Sequence, residues 1–372
     1  MTIKEFAYLA QQRLQSQTGN TLRRSHIYEF LASLFGFNSF ASLGVDAVVF
    51  QGKQKTKNTP QQNSALYQRC IELGYQPATA DVVSSELPAI ISEYQITVAK
   101  FSHLISKLSS DWSYWDDEYD DDDDLADTIT EDWSAFEDDT EGYNFPPRLL
   151  SELEGVASKG NASAHYVLAL YYSPDNGRGQ GSEHWYNLEK QGRTLIGIEK
   201  EWADQFAKNL LHDEKYEFHL REASKLGNED ALLDLADVFG DPSFFEQDRS
   251  INHDPVRAAN IAENLEHIAG LKHWLTIAAE KGHIGSIIRL IEDLDSHDLQ
   301  RCWTWIYFAQ MLGADLAEDD YYAIHEDGSL YDDDVGGPMY VDGRDGINLD
   351  PLSKELDSIA RQKAQALFES IQ

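Results

Sequence analysis

Catalysis and metal binding need particular side chains at particular spacings, and this chain has the side chains in plenty. It carries 12 histidines and 65 aspartates and glutamates. Two histidines and a glutamate on one helical face would hold zinc, but no H-E-x-x-H occurs. Equally missing are a G-x-S-x-G nucleophile turn, a G-x-x-x-x-G-K-[ST] phosphate loop and a G-x-G-x-x-G turn opening a helix. GRGQGS (177–182) is glycine-rich, yet it follows a helical pattern and lacks the lysine. In DGRDG (342–346), Arg344 stands where a cation ligand would be needed. His267 and His273 are six apart, off any shared helical face. Cys70 and Cys302 are distant and lack ligand neighbours, which suits two small buried residues in a reducing compartment. Carboxylates are so abundant that adjacency of two is no sign of an acid–base pair. The expectation is a non-enzyme without catalytic residues, metal or cofactor.

The formal net charge is −35 over 372 residues. That excludes a direct grip on a phosphate backbone, which needs lysine and arginine, and favours basic partners. Just under half of the charge lies in residues 111–141, with sixteen Asp or Glu and no Lys or Arg. Five consecutive aspartates repel one another, so 111–145 reads as an acidic loop or linker. Trp112, Tyr114, Trp115, Tyr119, Trp133 and Phe136 are interleaved with the acids. They either dock on the body of the protein or await a basic, apolar partner. No calcium loop of the D-x-[DN]-x-[DN]-G type can be drawn there. No apolar run reaches the length of a membrane span, and MTIKEFAYLAQQRLQS reads as an amphipathic helix rather than a signal peptide. A cytoplasmic protein with no membrane or direct nucleic-acid partner is expected.

The elements that would position these residues are helical. Residues 1–50 read as a helical N-terminal module, with Ile27, Phe30, Leu31, Leu34 and Phe35 at helical spacing and a stop at Gly36. QGKQKTKNTPQQNS (51–64) is polar and reads as a linker. A helical segment follows over 65–110, with Pro88 interrupting it or starting a fresh helix. Ordered structure reopens at Pro146–Pro147 and continues to 328. A Gly- and Asp-rich loop or hairpin over 329–351 and an amphipathic capping helix over 352–372 close the chain, with Leu356, Ile359, Ala360, Ala364, Leu367 and Phe368 expected inward.

Within 146–328 a pattern recurs around four glycines, Gly160, Gly227, Gly282 and Gly313. Small residues precede them: Val156-Ala157, Ala223-Ser224, Ala278-Ala279 and Ala309-Gln310. The fourth residue after each is Ala164, Ala231, Ser286 or Ala317, and the eighth is Leu168, Leu235, Leu290 or Tyr321. His219, Trp274 and Trp305 stand eight residues before three of the glycines. Glycine just past a helix end takes the left-handed conformation that closes it, and Asn228 would cap the next helix. Each glycine therefore marks a helix–turn–helix whose crossing is lined by small residues. HWLTIAAEKGHIGSIIRLIEDL and HLREASKLGNEDALLDLADVFGD are the best copies. Between Gly160 and Gly227, Gly192 marks a further turn with a helix expected over 196–211, and an insertion precedes the copy at Gly282.

Over roughly residues 148–325 these positions resemble the Sel-one-like repeat, a short helix-pair relative of the tetratricopeptide repeat. The resemblance implies an all-α fold, an α/α solenoid whose stacked pairs share a continuous core. His219, Trp274 and Trp305 would then be packing groups rather than ligands. It also implies a groove lined by Tyr166, Asp230, Leu233, Asp237, Ile288, Glu292, Asp295, Asp320 and Glu326. Such a groove would favour a basic or amphipathic peptide. The expected function is a protein-interaction scaffold or adaptor. The alternative is an acidic mimic, in which residues 111–141 occupy the cationic site of a nucleic-acid-binding protein.

Overall fold

The computed structural model describes residues 1–52, 60–109, 144–246, 253–331 and 337–371. Among them are sixteen α-helices and two two-stranded antiparallel sheets, so the chain is mostly helical. It divides into two units, Met1–Leu232 and Leu233–Gln372.

The first unit opens with α1 (Ile3–Thr18), set by a capping box. Glu5 N–H donates to Thr2 Oγ1 at 3.3 Å, and Thr2 N–H donates back to Glu5 Oε2 at 2.7 Å. Then follow α2 (Arg24–Leu34), α3 (Phe40–Asp46), β1 (Ala47–Gln51), α4 (Pro60–Glu72), α5 (Pro77–Tyr94), β2 (Ile96–Lys100) and α6 (Phe101–Ser109). Phe6, Leu14, Ile27, Phe30 and Leu31 share one buried cluster with Leu66, Cys70, Val83, Leu87 and Ile91. The segments 1–50 and 65–110 therefore do not fold as separate modules; helices from both close a single core. The polar run between them is already helical from Pro60. AVVFQ and ITVAK, read as parts of helical segments, are antiparallel strands with Ala47 opposite Lys100 and Gln51 opposite Ile96. Pro88 neither breaks nor begins a helix but lies inside α5, which instead starts at Pro77.

The same unit continues with α7 (Pro147–Ala157), α8 (Ala162–Tyr172), α9 (Glu183–Lys190) and α10 (Ile198–Lys225). At 28 residues α10 fuses two helices that the repeat spacing would have kept apart. Its middle, HDEKYEF, holds no Gly or Pro to break the turn-by-turn ladder. The unit boundary falls inside α11 (Glu229–Phe239).

The second unit holds α12 (Pro255–Asn264), α13 (Ile268–Glu280), α14 (Ile284–Arg289), α15 (Leu299–Met311), β3 (Asp320–Ile324), β4 (Tyr340–Arg344) and α16 (Lys354–Ser370). A π turn, Leu290–Leu294, prolongs α14. Here α16 packs on α15 through Ala360 and Ala364, both fully buried. Leu356 and Ile359, expected inward, are exposed. Two alanines let the helix axes approach closely enough that larger neighbours are left at the rim.

Four turns repeat one backbone solution. The φ angles are 86° at Gly160, 92° at Gly227, 93° at Gly282 and 93° at Gly313. Each glycine N–H bonds a carbonyl three residues back, at 2.8 to 3.1 Å. In the middle two turns, Asn228 and His283 N–H bond carbonyls five residues back, and both side chains cap the next helix. Asn161 caps α8 in the same way, accepting from Ala164 N–H at 2.8 Å. The in-phase positions Ala164, Ala231, Ser286, Leu168, Leu235 and Leu290 are buried. The fourth copy stops at its glycine. No helix starts directly after Gly313, and Tyr321 enters β3.

Candidate functional site

In the first unit the buried titratable groups collect where α8 crosses α10. Asn161 fixes the start of α8, and one turn later His165 meets His219 of α10, their Nδ1 atoms 2.9 Å apart. His165 also hydrogen-bonds the Ala157 backbone. With both rings neutral, the Nδ1–H of one donates to the Nδ1 of the other. Tyr172 stacks on His219 with ring centroids 6.0 Å apart and 12° between planes. The Tyr172 hydroxyl accepts from Lys215 Nζ at 2.9 Å, and Lys215 lies 3.7 Å from Glu154 of α7. His212 meets the edge of Tyr172. Burial, reinforced by His165 and Lys215, pushes the His219 pKa down to about 4. Burial lowers His165 and His212 too, with nearby cations adding to the effect at His212. At neutral pH the three rings are uncharged, and the imidazole pair acts as a polar lock between two helices. Sequence reasoning did not single out His165. The available signal was that both histidines fall inside the repeat, five residues after one turn glycine and eight before another.

In the second unit the equivalent polar centre is Asp295. It follows the π turn and its N–H bonds the Leu290 carbonyl, five residues back, at 2.7 Å. One extra residue in the turn shifts helical phase by about 100°, and the Asp295 side chain is buried. Its carboxylate accepts from Lys272 Nζ at 2.6 Å, Arg301 Nε at 2.8 Å and Trp305 Nε1 at 3.4 Å. Its carbonyl accepts from Cys302 Sγ at 3.1 Å. Nearby, Arg257 bridges Asp234 at 2.8 Å and Asp237 at 3.2 Å. Arg257 thus ties α12 to α11, and Asp295 ties α13 to α15.

Neither cysteine is placed for nucleophilic work. Both are buried and free. Burial pushes Cys70 up to about 12, and burial with Asp295 and Asp298 pushes Cys302 up to about 11. Among the described residues no group of three His, Cys, Asp or Glu is placed to hold a metal ion. No described helix is long and apolar enough to cross a membrane.

The nine residues expected to line a groove divide three ways. Tyr166, Leu233 and Asp295 are buried. Tyr166 sits in α8, where residues 164–169 are all buried because α6, α7 and α10 pack around that helix. Asp295 turns inward for the reason just given, so these three do not face an open surface. Asp230, Asp237 and Glu292 are exposed on helices, with Ile288 half-buried, and Asp237 is held by Arg257. Asp320 and Glu326 are exposed but not helical, lying in β3 and in the turn after it. Residues 111–141, the acidic stretch, lie outside the described residues.

Comparisons of this chain with family models, with curated proteins and with solved structures return no match.

Proposed function

We propose that this chain is a non-enzymatic, cytoplasmic interaction protein, an α/α solenoid of Sel-one-like helix pairs that holds a basic or amphipathic protein partner on an acidic surface. The observation that carries the reading is the recurrence of one capped glycine turn, with small and leucine positions buried in phase on either side. Helix pairs of this kind bury one face against their neighbours and leave the other for partners. The groups best suited to chemistry are consumed in packing, as at His165–His219 and Asp295. The exposed surface carries the excess of carboxylates, which steers cationic partners. Asp230, Asp237, Ile288 and Glu292 are the helical residues best placed to meet one.

Affinity purification of the full chain followed by identification of bound proteins tests this reading. A basic protein whose retention weakens on charge reversal at Asp237 and Glu292, and survives deletion of 111–141, is the expected result. Recovery of small molecules alone would overturn it. The alternative, an acidic mimic acting through 111–141, draws on sixteen carboxylates and six aromatics in one stretch. It predicts the opposite pattern, with binding lost on deletion of 111–141 and indifferent to Asp237 and Glu292.

A further inference from the structure

The β3–β4 ribbon of the second unit is exposed on both faces. Tyr321 is 54 % exposed, Met339 61 % and Val341 68 %. Ala323 lies opposite Val341 and Tyr321 opposite Gly343, so Tyr321, Val341 and Met339 share one face. Tyr322, Tyr340 and Asp342 share the other. The ribbon is anchored at its base: Arg344 donates to the Leu316 carbonyl at 3.1 Å, as does Ile347 N–H at 2.8 Å, and Gly346 N–H donates to Asp319 at 2.8 Å. It is therefore presented from a fixed base with its apolar side chains in water.

The two edges differ. Ala323 accepts from Tyr331 N–H at 2.9 Å, and His325 N–H donates to the Ser329 carbonyl at 2.8 Å. The outer edge of β3 is thus covered by 329–331. In an antiparallel pair both backbone groups of a residue point the same way, alternating along the strand. Ala323 points outward, so its partner Val341 also turns its N–H and C=O away from the ladder. Among the described residues β4 has no strand partner on that side. The charge around the ribbon has one sign. Between 315 and 350 the described residues include nine exposed carboxylates against a single arginine and no lysine.

We propose that the outer edge of β4 takes an extended, basic segment of another protein as a third strand. Alternation decides the chemistry of that segment. Residues on one side meet the apolar face of Tyr321, Met339 and Val341, and residues on the other meet Asp342 and the rings of Tyr322 and Tyr340. The guest alternates apolar and cationic side chains, with lysine or arginine over carboxylate and tyrosine. Backbone pairing supplies affinity, and alternation with charge supplies selection. This rests on the reading of the chain as a binder of basic partners and places one docking site on the ribbon.

The test uses the full chain and two labelled synthetic peptides of equal charge, one alternating lysine and valine, the other a basic amphipathic helix. Binding is followed by fluorescence anisotropy. The alternating peptide is expected to bind, to weaken with salt, and to weaken at least about tenfold in Val341→Pro, which removes the outward donor without removing a bond of the ladder. Val341→Ser and Asp342→Asn should each weaken it less, and melting temperature checks that all three variants remain folded. If the alternating peptide binds Val341→Pro and the parent equally, the edge proposal is overturned while the reading of a binder of basic partners stands. If neither peptide binds the parent, both fall.

Discussion

His219 holds its proton far more weakly than a histidine in water, because charging it would strand a cation between α8 and α10 beside Lys215. The folded pKa lies near 4 and the unfolded value near 6.5. The unfolded chain therefore binds the proton first, and stability is full above pH 6.5 and drains away as pH falls toward 4. One such histidine accounts for at most about 3–4 kcal/mol. Thermal melts from pH 7.5 to 4.5 should show the loss, and His219→Phe should flatten it; an unchanged acid limb in that variant would assign the loss elsewhere. Asp295 behaves differently, since it anchors two cations and an indole. Asp295→Ala should cost about 2–3 kcal/mol by denaturant unfolding, as Lys272 and Arg301 are left facing a void beside Trp305. Asp295→Asn keeps an acceptor for the indole and should cost less.

At the scale of elements, the glycine turns make a sharp prediction. Gly282→Ala forces a side chain into φ near +93° and should destabilise by about 1–2 kcal/mol. Gly155→Ala should do the reverse by about 0.5–1 kcal/mol, because Gly155 lies inside α7 with open space where a methyl group would stand. Equal effects in paired urea titrations would remove the turn argument. These turns were legible in the sequence because a left-handed closure shows itself as glycine at a fixed offset from small residues. Other elements were not. AVVFQ and ITVAK are each buried over four consecutive residues, so they lack the alternation that marks a half-buried strand. Their pairing partner is also remote in sequence. The inward turn of Asp295 depends on a π turn, which any count at 3.6 residues per turn places on the wrong face. Tyr166 was misplaced for a related reason: a helix surrounded by three others has no outer face there. The hairpin expected over 329–351 holds β4, but its partner β3 lies earlier, in 320–324, where the repeat spacing concealed a strand and with it the open edge of β4.

For the whole molecule, charge outweighs every other feature of the surface. At −35, exposed carboxylates repel across distances that salt shortens, with a screening length of about 10 Å at 0.1 M. Melting temperature should therefore rise by a few degrees between low and moderate sodium chloride, in contrast to a protein held by surface ion pairs. A fall over that range would point to the Arg257 and Asp295 contacts as the larger effect. The same charge makes binding of any cationic partner faster at low ionic strength, so association rate and stability should respond to salt in opposite directions.

The pairing of β1 with β2 carries a consequence for biosynthesis. The strands are antiparallel neighbours, yet 44 residues, including α4 and α5, intervene between Gln51 and Ile96. During translation at about 5–20 residues per second, the Val48–Val49–Phe50 run emerges roughly 2–9 s before its partner is synthesised. For that interval the nascent chain displays an apolar strand edge and half of a core. A stalled chain ending before Ile96 should therefore recruit general chaperones more strongly than one extended past Phe101 and clear of the exit tunnel.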